Sequence, residues 1–428
     1  MLNKSFAPFF AVLGSVLLAA AMWLWVQRIA IPHQQAESTV QGIPRGNLSD
    51  LYPRWLGARE LLLHHRDPYS ADLTREIQTG YYGRPLDPAR PNDPKDQQGF
   101  AYPLYVVFVL APMVALPFTV VQRAFLVALI LLTAASVLWW LQALEWRVSA
   151  WTKLVWIVLT LGCFPAIQGF KLQQLTLLVA SLMALAMVAI VRRHLVLAGV
   201  LLAFATIKPQ LVALMIAWLC LWVAGNWRER RPLVLSFAAS MALLIGGAEI
   251  LLPGWIGKFR AASTAYYHYT GGGRSVLDVL LSPVWGRALA VVLAGTVLAI
   301  LWKVRHAGEA TPEFHWAQCL VLATTLAIIP MFAPYNQMLL LPGLMLIVRA
   351  VRVLWRENRV SRLFLGITAL TVGWPWLSAA GLLIALLLLP TSMVQSAWRL
   401  PLLTSLAIPV IVVAVLLAGR KTFCSAEG

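Results

Sequence analysis

Residues 6–26 read FAPFFAVLGSVLLAAAMWLWV, a run of 21 residues without one ionisable side chain. A helix rises about 1.5 Å per residue, so roughly 20 apolar residues cross the hydrocarbon layer of a bilayer. Ala19-Ala20-Ala21 offers a cleavage-like site inside the run, but the apolar stretch continues past it through Trp23 and Trp25. The reading is an uncleaved first membrane helix, preceded by Lys4, with its N-terminus in the cytoplasm. The whole chain has the same character: 428 residues, 60% hydrophobic and 12% charged, with a mean hydropathy of +0.76. A soluble domain is closer to half apolar and about a quarter charged, so a soluble multidomain enzyme is excluded. Disorder is excluded by the same apolar content. The 19 Trp suit a chain with many membrane–water boundaries.

Further apolar runs fall at 101–117, 120–143, 172–191, 195–207, 210–224, 233–252, 284–302, 316–333, 336–352, 363–389 and 400–419. One more, 154–165, ends at Pro165 and is too short to cross upright. The net charge of +17 comes from 34 Lys+Arg against 17 Asp+Glu. The basic residues cluster between apolar runs, at Arg192-Arg193, Arg228 to Arg231, Lys303 to Arg305, Arg349 to Arg362 and Arg420-Lys421. This is the positive-inside bias of a membrane protein rather than a nucleic-acid surface. All five clusters alternate to the cytoplasmic side if 154–165 is re-entrant or lies on the outer surface. The expectation is an all-α polytopic membrane protein, one integral domain over 1–428, with about 12 spans and both termini cytoplasmic. Cys163, Cys220, Cys319 and Cys424 stand far apart, with no CxxC or Cys/His cluster. Neither disulfides, zinc nor another divalent metal is supported.

With that topology the polar features fall on the outer face: the loop 28–100, Gly169 to Gln174, Lys208-Pro209-Gln210, the loop 253–283, and Pro334 to Gln337. Five such segments on one face point to a shared external site. The loop 28–100 holds 9 of the 17 acidic residues and 9 basic ones. Within it, Leu51, Trp55, Ala58 and Leu62 share one helical face, which predicts an interfacial helix over about 51–65. Pro53 is tolerated in the first turn and Asp67-Pro68 ends the helix. Residues 81–99 carry Pro, Asp and Lys without apolar period and read as a solvated loop or a flap over a site. Gly271-Gly272-Gly273 lacks the strand–turn–helix setting of a phosphate loop.

Asp50 stands where the predicted helix opens. A carboxylate there suits an N-cap, accepting from free first-turn amides, and it equally suits a base held at the membrane surface. Both readings stand on residue type alone. Lys208, between two apolar runs at a Pro-broken junction, either snorkels to headgroups or meets an anionic partner.

Several motifs in order resemble those of a bacterial GT-C integral membrane glycosyltransferase, most closely glycosyltransferase family 87, the polyprenol-phosphate-mannose-dependent type. They are Ser49-Asp50-Leu51-Tyr52, Ala58-Arg59, Arg66-Asp67-Pro68-Tyr69, Phe100-Ala101-Tyr102-Pro103-Leu104, Gly169 to Leu178, Lys208-Pro209-Gln210 and Gly273-Arg274-Ser275-Val276-Leu277. The likeness runs to about residue 345. It departs at Tyr-Pro-Leu for Tyr-Pro-Pro, at Gly-Phe-Lys-Leu-Gln, at Gly-Arg-Ser for Asn-Gln-Ser, and near Pro334 to Gln337, where relatives often carry a His.

The resemblance implies an inverting hexosyltransferase of the bacterial inner membrane with an extracytoplasmic active site. It would move a hexose, mannose by the family's type, from a polyprenyl-phosphate donor to a hydroxyl on a glycolipid, glycan or protein. No cofactor beyond that donor substrate is implied, and nucleic acid is not a partner. The family's first-loop Asp corresponds to Asp50 as catalytic base. Lys208, Lys171, Arg260 and Arg274 are the external cations suited to the leaving phosphate. Gln174, Tyr102, His268, Asn336 and Asp67 complete the candidate substrate-binding set. A lipid-linked saccharide transporter needs more intramembrane charge and an internal repeat, and a polysaccharide polymerase or ligase usually places its long loop later; both remain alternatives.

Overall fold

The computed structural model describes residues 7–425 except 44, 88, 95, 270–272 and 331. Lys4 and the Gly271-Gly272 pair lie outside the described residues. All regular structure among the described residues is helical.

Two helices apolar on every side form the centre. Leu175–Val191 buries 13 of its 17 residues and Pro312–Ile328 buries 14 of 17, as expected of helices wrapped by others. Arg359–Leu388 is the opposite case, burying only Leu365, Thr368, Ala379 and Leu382. Its Leu363, Leu370, Leu377 and Ile384, spaced at sevens on one stripe, are 59–63% exposed. In water each such side chain would forgo about 1.5–3 kcal/mol of burial. Four together reach roughly 6–12 kcal/mol, comparable with a domain's whole stability. Hydrocarbon removes that cost, so the stripe faces lipid. Gly199 allows a close helix pair: a Cβ there would meet Ser236 Oγ and Leu233 O, so Leu195–Ala205 and Trp227–Leu251 pack almost backbone to backbone.

Among the described residues, seven helices are long and apolar enough to cross a bilayer, or eight if the bent pair Ala150–Leu161 and Phe164–Lys171 is one crossing. Two segments differ from expectation, one expected span and one run expected not to cross. The run 101–117 is not a long helix; it breaks into Val106–Leu110 and Ala111–Met113, because Pro103, Pro112 and Pro117 interrupt it. The run 154–165 is the middle of a longer unit, bent by 55° ahead of Pro165. The first helix also runs further than expected, continuously over Ala7–Val40.

Hydrogen bonds sort the turns into two ends. At one, Arg349 donates to Leu144 O (2.9 Å) and Arg192 to Gln142 Oε1 (3.0 Å). Arg193 pairs with Glu309, Arg230 donates to the carbonyls of Arg305 and Ala307, and Arg420 lies over the Trp316 ring. At the other, Asp50 N donates to Leu172 O (2.8 Å), Tyr105 Oη to Thr206 O (2.9 Å) and Phe332 N to Arg274 O (3.1 Å). Every basic cluster is represented at the first end, and Asp50, Arg274 and the turn before Lys208 at the second.

Over the second end lie the segments that the charge pattern assigns to the outer side. The expected helix forms as Tyr52–His64 and stops at His65, whose φ of 53° is left-handed. Two further helices were not foreseen, Ala71–Tyr82, capped by Ser70, and Trp255–Tyr269. The described residues of 83–99 are irregular yet tied down, which corrects the picture of a free solvated loop. Arg84 pairs with Asp93 and holds that carboxyl down to about 2. Tyr82 Oη donates to Asp96 O (2.7 Å), and Gln78 Nε2 to Gln97 O (2.9 Å).

Candidate active site

Asp50 does not cap its helix. The helix begins at Tyr52, the cap position is Leu51, and no side chain accepts from the first turn. Neighbouring chain fixes the aspartate instead. Asn47 donates through its side chain to Gly80 O and accepts from Ser49 N, both at 2.9 Å. Gly46 N donates to Tyr81 O (3.0 Å), and Asp50 N reaches the turn beyond Lys171. The half-buried carboxylate is thereby free for other partners. Tyr81 Oη donates to Oδ1 (3.0 Å) and Gln174 Nε2 to Oδ2. Burial, then the Asp50 charge, pushes the Tyr81 phenol well up, so it stays a donor.

Gln174 links two charges. Its Nε2 faces Asp50 while its Oε1 accepts from Lys208 Nζ (2.6 Å); only this amide orientation suits both neighbours. Lys208 also donates to Thr176 Oγ1 (2.8 Å), and Thr176 in turn to Asn336 Oδ1 (3.1 Å). Lys208 is 6% exposed, yet the hydrogen-bond partners of its ammonium are neutral oxygens. Tyr102 and Tyr335 wall it, with ring centroids 5.7 and 5.2 Å from Nζ.

A second cation shares the wall. Arg54 lies 4.3 Å from the Tyr102 ring centroid and donates to Asp50 O (2.7 Å), while its buried Nε has no hydrogen-bond partner among the described residues. Burial pulls Arg54 down, but Tyr102, Asp50, Tyr266 and Asp96 outweigh it and raise it. Asp96, on the irregular 83–99 segment, accepts from Gln98 Nε2 (2.8 Å) and bonds the Tyr266 hydroxyl. Burial first, then repulsion from Asp50, raises its carboxyl. Phe100 anchors this approach by seating on Gly57, where a Cβ would strike its ring.

Of the residues singled out from sequence, Asp50, Tyr102, Gln174, Lys208 and Asn336 come together here. The others stand apart from this chain of contacts. Lys171 is half-buried at the end of its helix. Asp67 accepts from Tyr69 N and pairs with Lys258 (2.7 Å). Arg260, Arg274 and His268 are exposed. Ser275 and Asp278 form a capping box, and Glu249 accepts from Gly254 N (2.7 Å). Arg54, Tyr81, Asp96, Thr176, Tyr266 and Tyr335 were not foreseen as a group; Thr176 and Tyr335 lay inside the segments Gly169 to Leu178 and Pro334 to Gln337, and Tyr266 inside the aromatic run Tyr266-Tyr267-His268-Tyr269.

Chemically, the site offers a half-buried carboxylate, a buried cation without a carboxylate partner among the described residues, an amide between them and aromatic rings beside the cation. No curated protein and no solved structure matches the chain. Residues 100–334, more than half of the chain, match glycosyltransferase family 87, a stretch that includes Tyr102, Gln174 and Lys208 and begins beyond Asp50. This all-helical membrane chain belongs to glycosyltransferase family 87.

Proposed function

We propose that the protein moves a hexose, mannose in the first instance, from a polyprenyl-phosphate donor to an acceptor hydroxyl, with inversion, on the extracytoplasmic side of the bacterial inner membrane. The observation that carries this reading is the Asp50–Gln174–Lys208 bridge. A base and a cation that can pair with a phosphate are held a single amide apart, and neither neutralises the other.

The orientation follows from charge. Dropping 101–117 as a crossing and counting 150–171 as one returns the number to twelve, with every basic cluster still cytoplasmic. The exchange also brings Arg147 and Lys153 to the cytoplasmic side. Asp50, Gln174 and Lys208 then face outward, where nucleotide sugars are absent and a lipid-borne donor is the available source. An apolar cavity of about 640 Å³ begins at Gln337 and Met338, next to Asn336, and continues between helices Leu341–Glu357 and Arg359–Leu388. It suits the donor's hydrocarbon chain.

In the reaction the acceptor oxygen attacks the anomeric carbon. The bond from that carbon to the phosphate oxygen breaks, and the acceptor proton passes to Asp50. A carboxylate is a weak base for an alcohol, so proton transfer comes late and positioning supplies much of the rate. Lys208 meets the charge growing on the departing phosphate.

The test is transfer in inner-membrane vesicles given radiolabelled polyprenyl-phosphate mannose, wild type against Asp50→Asn. Asn can accept from Gln174 and donate to Tyr81, so the fold should persist while the base is lost. Transfer should fall about 10²–10⁴-fold. Equal transfer in both proteins removes Asp50 from the chemistry, and none in the wild type removes the donor assignment.

A further inference from the structure

Beside the reaction site the external segments enclose a second cavity, of about 380 Å³. Helix Ala71–Tyr82 forms one wall, residues 97–101 another, and helix Trp255–Tyr269 the third. The space exists because Ala71, Gly99, Ala101, Ala262 and Ala265 line it with almost no side chain. Its size falls in the range of small-molecule sites, about 300–1,000 Å³. Tyr69 and Tyr266 give it aromatic surface, while Thr74 and Gln97 add a hydroxyl and an amide. Its cation, Arg75, is already paired with Asp72 on its own helix, so the cavity carries no unanswered positive charge to select an anion. Aromatic faces with neutral hydrogen-bonding groups match a pyranose, whose C–H face is apolar and whose rim is hydroxyls.

The cavity also has a direction. Tyr266 bonds Asp96, the carboxyl that feels the Asp50 charge, and Phe100-Ala101 run directly into Tyr102. It shares no residue with the apolar cavity that begins at Gln337. Two substrates could approach Asp50 by separate openings, one from the bilayer and one from the aqueous side. We propose that this cavity holds a neutral pyranose of the acceptor glycan and aims the acceptor hydroxyl toward Asp50; the role as an acceptor subsite rests on the transfer reaction above, the binding of a sugar does not.

The experiment is saturation-transfer NMR on the purified full-length protein in nanodiscs, with methyl α-D-mannopyranoside and methyl α-D-glucopyranoside as probes and no donor present. The wild type and a remote control, Val284→Trp on a lipid-facing turn, should give contact signals with at least one sugar. Ala265→Trp, which fills the cavity from an exposed helix position, should lose most of that signal, at least tenfold. Gln97→Ala, a milder change, should weaken binding roughly three- to tenfold, as for one lost hydrogen bond. Signal from neither sugar in the wild type, or equal binding in Ala265→Trp and the wild type, overturns the proposal. Because no donor is used, a wild type that binds sugar but transfers nothing sinks the transfer reading and leaves the site.

Discussion

Lys208→Met separates a structural ammonium from a phosphate-binding one. Methionine has nearly the same length and no charge. Two hydrogen bonds from the ammonium disappear, those to Gln174 at 2.6 Å and Thr176 at 2.8 Å, each worth about 1.5–3 kcal/mol for a charged donor. Against this, the several kcal/mol of desolvation paid by a buried ion are regained. The two nearly offset, so stability should change by no more than about 2 kcal/mol. The donor should feel far more. A phosphate about 4 Å from the ammonium gains roughly 4 kcal/mol per unit charge at an effective dielectric near 20. Losing that weakens donor binding by up to about 10³-fold. Half a unit of additional charge in the transition state adds about 2 kcal/mol, a further fall of roughly 30-fold in kcat. The assay is kcat and KM for radiolabelled polyprenyl-phosphate mannose in nanodiscs, with the thermal midpoint measured alongside. A folded variant whose kcat/KM stays within about fivefold of wild type refutes the reasoning. A midpoint that collapses instead makes the ammonium a structural prop.

Two further predictions concern the flap and the topology. The Asp96 carboxyl is raised from its ordinary 3.8 by burial and by Asp50, so the folded state holds this proton more tightly than the unfolded chain. Its contribution is complete below pH 3.8 and is lost as pH rises through the raised value. The wild-type thermal midpoint should therefore decline across that window, and Asp96→Asn should flatten the decline; identical profiles refute it. For topology, a cysteine at Ser149 in a background lacking Cys163, Cys220, Cys319 and Cys424 should be labelled only from the side that labels a cysteine at Arg305. Labelling of Ser149→Cys from the opposite side would restore 101–117 as a crossing.

The membrane class and the central helices were legible because hydrocarbon leaves a plain mark, long runs without charge. Hydropathy misjudged two segments because it does not weigh chain breaks. Three prolines in 101–117 leave no room for a long helix, and a 55° bend at Gly162-Cys163 divides 150–171 into two short helices, the shape of a broken span or of a re-entrant loop. Positive-inside counting does not separate the two topologies, since exchanging one segment for the other preserves the side of every later cluster. Arg147 and Lys153 favour the exchange, because it puts both on the side of the other basic clusters. Asp50 and Lys208 were visible as costly charges at boundaries. Arg54, Tyr81, Asp96 and Tyr266 were not, because the tertiary packing of three separate helices and one irregular segment brings them together. One signal could have found Tyr81. Leu73, Ile77 and Tyr81 follow the Ser70 cap at steps of four, and all three are buried on one face.

The resemblance supplied Gln174 only as part of a loose Gly-Gln segment, yet its chemistry explains why the site can hold opposite charges without joining them. An Asp50–Lys208 pair in direct contact would gain Coulomb energy and spend both groups, leaving a carboxylate too well satisfied to take a proton and an ammonium already neutralised. A hydroxyl between them could turn either way. An amide cannot serve both neighbours if flipped, since its nitrogen would face the ammonium and its oxygen the carboxylate. It therefore holds each ion by a hydrogen bond while keeping the two apart. Thr176 and Asn336 extend the same neutral contact on the far side of Lys208, so its positive charge has no carboxylate to spend itself on. In a protein where burying an unpaired cation is expensive, that arrangement makes sense for a site whose anion arrives with the substrate.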